Sequence, residues 1–225
     1  MSYKQIIVKK PWGYEYLAYE NEHVALWFLY ISHGQRTSMH CHPNKTTGLV
    51  ILDGSAEVSF LRDTFKVSPI DKMMIRKGLF HSTQATGESG VAVFEIETPV
   101  DKHDLVRLQD SYGREGKPYE DSTFEAPKPG DCLWIEDPSA NCTNIYNIAN
   151  CIISISNVSD ISFIENYQSD KIIMFLRGGL LTDYNINVAG AGDVVEVKVL
   201  KELSQVFKKV SPDTVIMTME RSDEQ

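Results

Sequence analysis

Gly34-Gln35-Arg36-Thr37-Ser38-Met39-His40-Cys41-His42, answered by Gly78-Leu79-Phe80-His81, is the pair of segments around which the rest of this chain reads. On an extended strand alternate side chains share a face, so His40 and His42 point one way and Cys41 the other. His81 arrives after the Lys77-Gly78 turn, one hairpin-rich segment later. Three neutral imidazoles converging on a point suit a first-row divalent ion (Zn, Fe, Mn or Ni), with positions left open for water or a ligand. An isolated His-x-His is more often a surface accident. Here the pair follows a glycine, precedes an apolar run and has a third partner, which favours a metal site.

Working outward, His23 to Ser32 is rich in β-branched and aromatic residues and reads as a strand that His33-Gly34 breaks. Thr46 to Leu52 is a second strong strand, closed by the tight-turn signal Asp53-Gly54. Ala56–Phe60 alternates, Lys72–Ile75 follows, and Val91–Glu97 closes the series. Pro11-Trp12-Gly13 is a bend carrying one large aromatic, and Asp104–Leu108 reads as a short helical turn. Many short strands with turn residues between them predict an all-β barrel or jelly roll.

Ser111 to Gly130 is rich in Gly, Pro and charge. The expected organisation is a barrel over residues 1–110, an arm over 111–130 and a second barrel over 131–225. The second half repeats the first. Asn150–Ser156 parallels His23–Ser32, Lys171–Gly178 parallels Thr47–Gly54, Gly192–Val197 parallels Ile70–Ile75, and Asp213–Glu220 parallels Gly90–Glu97. No histidine follows His103, so the second barrel is expected to lack the metal ligands. Lys201 to Lys209 reads equally as a short helix or a charged strand pair.

Composition narrows the classes. A chain of 225 residues with 42% hydrophobic and 24% charged residues is ordinary for a globular protein. A net charge of −9 argues against an electrostatic nucleic-acid binder, yet leaves room for a small anion on a local basic cluster. No apolar run reaches the length of a membrane span, and the N-terminus lacks an apolar core and cleavage pattern, so no membrane partner and a cytoplasmic location are expected. Cys41, Cys132, Cys142 and Cys151 form no C-x-x-C pair and read as free thiols. Edge strands of barrels this size commonly pair, which makes a homodimer the expectation.

Gly34, His40, His42, position 47 and Gly54, with position 76, Gly78 and His81, resemble the two motifs of the cupin superfamily. The resemblance implies a double-stranded β-helix, duplicated here as a bicupin whose second copy is degenerate. Thr47 stands where the family has an acidic ligand, Arg76 where it has proline and Ala85 where it often has asparagine. Pro11-Trp12-Gly13 before the barrel, and Asp104–Asp110 with Tyr112-Gly113-Arg114 after it, narrow the likeness to the cupin domain of type II mannose-6-phosphate isomerases. Similar stand-alone cupins accompany surface-polysaccharide synthesis.

The resemblance implies a small-molecule substrate, a sugar or sugar phosphate, and a metal-dependent isomerase or epimerase of carbohydrate metabolism. A base must move a proton between adjacent carbons. Glu95 and Glu97, which alternate on the closing strand, and Tyr30 are the candidates. Arg36, Lys45 and Arg114 are candidates to hold a phosphate by charge-assisted hydrogen bonds. Two other readings compete: a non-catalytic module that binds or senses carbohydrate, and a three-histidine iron dioxygenase.

Overall fold

The computed structural model describes residues 3–117, 119, 124–128, 130–140 and 142–222. The chain divides into two compact units, Met1–Ile135 and Glu136–Gln225. Both are built of antiparallel strands, the first unit as sheets of seven and five strands and the second as sheets of five and three.

Among the described residues the first unit contains twelve strands. They are β1 (Ile7–Lys10), β2 (Gly13–Glu20), β3 (Ala25–Ile31), β4 (Met39–Cys41), β5 (Thr46–Gly54) and β6 (Ala56–Phe60). β7 (Thr64–Val67), β8 (Lys72–Ile75), β9 (His81–Ala85), β10 (Val91–Thr98), β11 (Val106–Gln109) and β12 (Phe124–Glu125) follow. One sheet has the order β12-β1-β2-β3-β10-β5-β8 and the other β11-β4-β9-β6-β7. Trp12, Trp27, Leu29, Ile51, Val58 and Val93 form the core between them. Gly54 is required where the chain passes from one sheet to the other: its φ is +79°, and a Cβ there would lie 2.1 Å from the carbonyl oxygen of Gly90.

Two local expectations change. Asp104–Leu108 is not a helical turn, because β11 pairs with the edge of β4, setting Val106 opposite Cys41 and Arg107 opposite His40. Of the expected arm, Pro118, Glu120–Thr123 and Pro129 lie outside the described residues. Its described residues attach to the first unit: β12 pairs with β1 and Tyr119 is buried; just past it, the Ile135 amide donates to the Ala18 carbonyl at 2.9 Å.

The second unit repeats the first sheet. Its strands are β13 (Thr143–Ile148), β14 (Cys151–Val158), β15 (Ile172–Arg177), β16 (Gly179–Leu181), β17 (Asn187–Gly190), β18 (Val194–Glu196), β19 (Lys209–Val210) and β20 (Thr214–Arg221). The order β13-β14-β20-β15-β18 reproduces β2-β3-β10-β5-β8. The correspondence extends to single hydrogen bonds. Ile51 N donates to Asp71 O at 3.0 Å and Ile51 O accepts from Ile70 N at 2.8 Å; Phe175 N donates to Asp193 O at 3.0 Å and Phe175 O accepts from Gly192 N at 2.8 Å.

The second sheet departs. Where the first unit has β4, the second has a 3-10 turn over Ile161–Asn166, opened by the Asp160 side chain accepting from the Ser162 amide. Where the first unit has the glycine turn before β9, the second has helix α1 (Val197–Val206), so the helix is the outcome for the stretch Lys201–Lys209. Phe163, Ile164, Val197 and Leu200 from these two elements fill the second barrel with apolar side chains. Among the described residues, the second unit thus has a 3-10 turn rather than a strand between β14 and β15.

Candidate metal centre

β4 and β9 are hydrogen-bonded neighbours with His40 opposite His81. His42 lies one strand period beyond His40. Ring centroids are 4.5 Å apart for His40 and His81, 5.0 Å for His40 and His42, and 5.7 Å for His42 and His81. One nitrogen from each of the three rings lies within 4.8 Å of the others.

Each Nδ1 faces a backbone carbonyl: His40 that of Ser38 at 2.8 Å, His42 that of Asp104 at 2.6 Å and His81 that of Leu79 at 3.0 Å. A carbonyl only accepts, so each Nδ1 carries the proton and each Nε2 presents a lone pair. This is the arrangement in which ring orientation and tautomer are both fixed for a metal. Burial holds all three imidazoles below their usual pKa, with His81 brought down to about 4. They are neutral at pH 7, as ligands must be. His42 Nε2 is buried and, among the described residues, has no hydrogen-bond partner. That orphaned lone pair is the observation by which the residues present fit a divalent ion.

β10 supplies acid beside the imidazoles. Its register sets Glu97 opposite Thr47, and Glu95 opposite Leu49, on β5; two residues apart, the two carboxylates share a face. A ligand atom each from His42, Glu95 and Glu97 also lies within 4.8 Å of the others. Glu95 Oε1 is 3.8 Å from His42 Nε2. Burial first, then the charge of Glu97, pushes the Glu95 carboxyl up to about 7. For Glu97 burial acts upward too, but Lys102 and Lys45 outweigh it and bring the carboxyl down to about 2.

Glu95, Glu97, His40, His42 and Arg114 line one cleft with about 480 Å³ of empty space, part of it open solvent. Its lining includes four cations, Lys10, Lys102, Arg107 and Arg114, and three carboxylates, Glu15, Glu95 and Glu97. Lys45 is 1% exposed, its ammonium spent on Glu97 at 2.7 Å. Arg114 is clamped by Asp110, Nη2 to Oδ1 at 2.6 Å and Nε to Oδ2 at 3.1 Å. Tyr30 stands apart from this cleft, its hydroxyl donating to the Ser89 carbonyl at 2.7 Å. Arg36 also stands apart, bonded to Gln84 along a separate polar groove.

Sequence reading missed the residues that complete the cleft. Glu15 on β2 is 3.1 Å from Lys102 Nζ and 3.8 Å from Lys10 Nζ, and accepts from Tyr119. Lys102 also lies 3.5 Å over the Trp27 ring. Asp104, expected in a short turn, instead has its carboxylate accept from the Asn44 amide, the Asn44 side chain and the Lys45 amide at 2.8–2.9 Å. These meetings join residues about 60 to 100 positions apart.

Residues 2–110 match the family model described as mannose-6-phosphate isomerase, C-terminal. The N-terminal unit is a cupin domain. Solved structures of similar fold include BH2720 from Bacillus halodurans, 20% identical over 36% of this chain and 65% of that one, TM-score 0.35. The chain thus spans less than two thirds of that protein. A double-stranded β-helix protein from Klebsiella pneumoniae is 14% identical over 49% of this chain and 90% of that one, TM-score 0.40. CapF, a capsular polysaccharide assembling protein from Staphylococcus aureus, is 15% identical over 46% of this chain and 34% of that one, TM-score 0.42. No curated protein sequence matches the chain. The matched family model is that of a sugar-phosphate isomerase's C-terminal domain. Among the described residues no helix is long and apolar enough to cross a membrane.

Proposed function

We propose that the cupin domain holds a divalent ion on His40, His42 and His81 and acts on a sugar or sugar phosphate as an isomerase or epimerase. The observation that carries this is the three Nδ1–carbonyl hydrogen bonds, which leave an Nε2 lone pair on each of three clustered imidazoles, two of them, His40 and His42, on the cleft wall. When bound, the ion supplies Lewis-acid polarisation of a carbonyl and its neighbouring hydroxyl. Arg114 and Arg107 give the cleft wall the donors that an anionic substituent requires. The β10 carboxylates, Glu95 and Glu97, are the groups that can accept and return a proton between adjacent carbons. Trp12, Leu29 and Leu105 give one part of the cleft wall an apolar surface.

The test is proton exchange in deuterated water with the Zn2+-, Mn2+- or Fe2+-loaded protein and mannose 6-phosphate or fructose 6-phosphate. Deuterium entering the carbon beside the carbonyl, lost in the His42→Ala protein, supports the reading. Binding without exchange or conversion with any of these sugars overturns it.

One observation favours a second reading, a non-catalytic carbohydrate-binding cupin. Glu97 is locked to Lys45 and held anionic, which makes it a poor proton acceptor. The same exchange experiment separates the two readings.

A further inference from the structure

The geometry points to Glu95 as a fourth protein ligand of the ion, delivered from β10 and completing a three-histidine, one-carboxylate centre. This rests on the metal-holding part of the reading above and goes beyond it by giving the ion a charged donor.

The argument begins with His42. Its Nδ1 must donate to the Asp104 carbonyl at 2.6 Å, so Nε2 has a lone pair and no proton. That lone pair is buried and faces Glu95 Oε1 at 3.8 Å. An acceptor therefore looks at an acceptor. The gap is too long for a hydrogen bond even with a protonated carboxyl, since O–H···N contacts close to about 3 Å. It suits a cation between them: two donors each about 2.0–2.1 Å from one ion lie no more than about 4.2 Å apart.

His42 also decides how the two ligand groups combine. His40, His42 and His81 form one cluster, and His42, Glu95 and Glu97 form another. An imidazole nitrogen has one lone pair, so separate ions cannot share His42 Nε2. The two groups therefore cannot both be filled, and an ion on the three imidazoles takes Glu95 by a shift of its carboxylate toward them. Of the two carboxylates, Glu97 already has Oε1 on the Lys45 ammonium at 2.7 Å. Glu95 has its contact with His42 and stands in the cleft wall. Thr47, across β5 from Glu97, brings a hydroxyl and no charge. Without Glu95 the centre would be neutral apart from the ion. With it, one positive charge is cancelled, which strengthens retention of the ion.

The test uses the full-length metal-free protein and Zn2+ or Co2+ alone, with no sugar. Glu95→Gln is expected to weaken Zn2+ by at least the roughly 10–100-fold that loss of a partner one step further out costs, and to change the visible spectrum of the Co2+ form. Glu97→Gln is expected to keep that spectrum. Affinity within about threefold of wild type in Glu95→Gln, or loss in Glu97→Gln in its place, overturns the assignment. A Zn2+-loaded wild-type crystal gives a readout independent of any variant's folding: a Glu95 oxygen about 2.0–2.2 Å from the ion is required, and a carboxylate left beyond reach refutes it. Turnover does not enter. A protein that binds Zn2+ through Glu95 and converts no sugar keeps this assignment and loses the isomerase reading; exchange of sugar protons with Glu95 off the ion does the reverse.

Discussion

The Asp104 carbonyl oxygen lies 2.6 Å from His42 Nδ1, across 62 positions of sequence. The same residue's carboxylate takes the amides of Asn44 and Lys45. One aspartate thus pins the turn that follows the ligand strand and aims the central imidazole. Its carboxyl is held below its usual range because these N–H groups outweigh its burial.

Asp104→Ala leaves the carbonyl in place but removes what holds it. The expected result is a drop in Zn2+ affinity of roughly 10–100-fold, the range for losing a partner that orients a ligand. Calorimetric titration of the metal-free protein checks it. Unchanged affinity would show that the carbonyl needs no anchoring.

The two faces of β4 predict opposite outcomes for neighbouring residues. His40→Ala, His42→Ala or His81→Ala removes a ligand and should abolish retention of metal through gel filtration. Cys41, buried at 5% exposure on the other face, should be replaceable by Ala with metal content intact and stability lower by roughly 1 kcal/mol. Elemental analysis and urea unfolding read the two effects. Metal lost from Cys41→Ala would reverse the facing.

Lys45 and Glu97 are paired at 2.7 Å with side-chain exposures of 1% and 2%. Lys45→Met strands a buried carboxylate, with an expected cost of about 3–5 kcal/mol. Lys45→Met with Glu97→Leu should recover most of that, because both charges leave together. Additive losses in the double-mutant cycle would contradict a coupled pair.

His81 ties stability of the metal-free protein to pH. Its pKa is about 4 folded against about 6.5 unfolded. Above about 6.5 neither state holds the proton. Between about 6.5 and 4 the unfolded chain takes it up and the folded one does not, so stability falls as pH falls, by about 3 kcal/mol in all. Glu95, raised by burial, acts in the opposite sense between about 7 and 4.5. The comparison is therefore with His81→Gln: its stability should fall less than that of wild type from pH 7 to pH 5. Parallel curves would contradict the buried neutral ring.

Much of this architecture is written in local pattern. The period of two puts His40 and His42 on one face without knowledge of the rest. The strands Ala56–Phe60 and Lys72–Ile75 end where turn residues end them. The repeat survives because paired strands demand the same apolar positions in both copies. What could not be read locally is what the barrel brings together. Nothing near Glu15 announces Lys102 or Tyr119, and nothing near Asp104 announces His42. The Asp104–Leu108 stretch looks helical by composition, and edge pairing with β4 overrides that. Arg36 and Tyr30 sit close in sequence to the ligand strand, yet the pleat and the turn at Gly34 carry them to the other side.

The measurement that bears most directly on this account is the metal content of the full chain, by elemental analysis after loading with Zn2+ and exhaustive gel filtration, for wild type and the His40→Ala/His42→Ala/His81→Ala variant. The account predicts one ion per wild-type chain and none in a variant that still unfolds cooperatively. A wild-type protein that retains no divalent ion, or a variant that keeps its full complement, would contradict it.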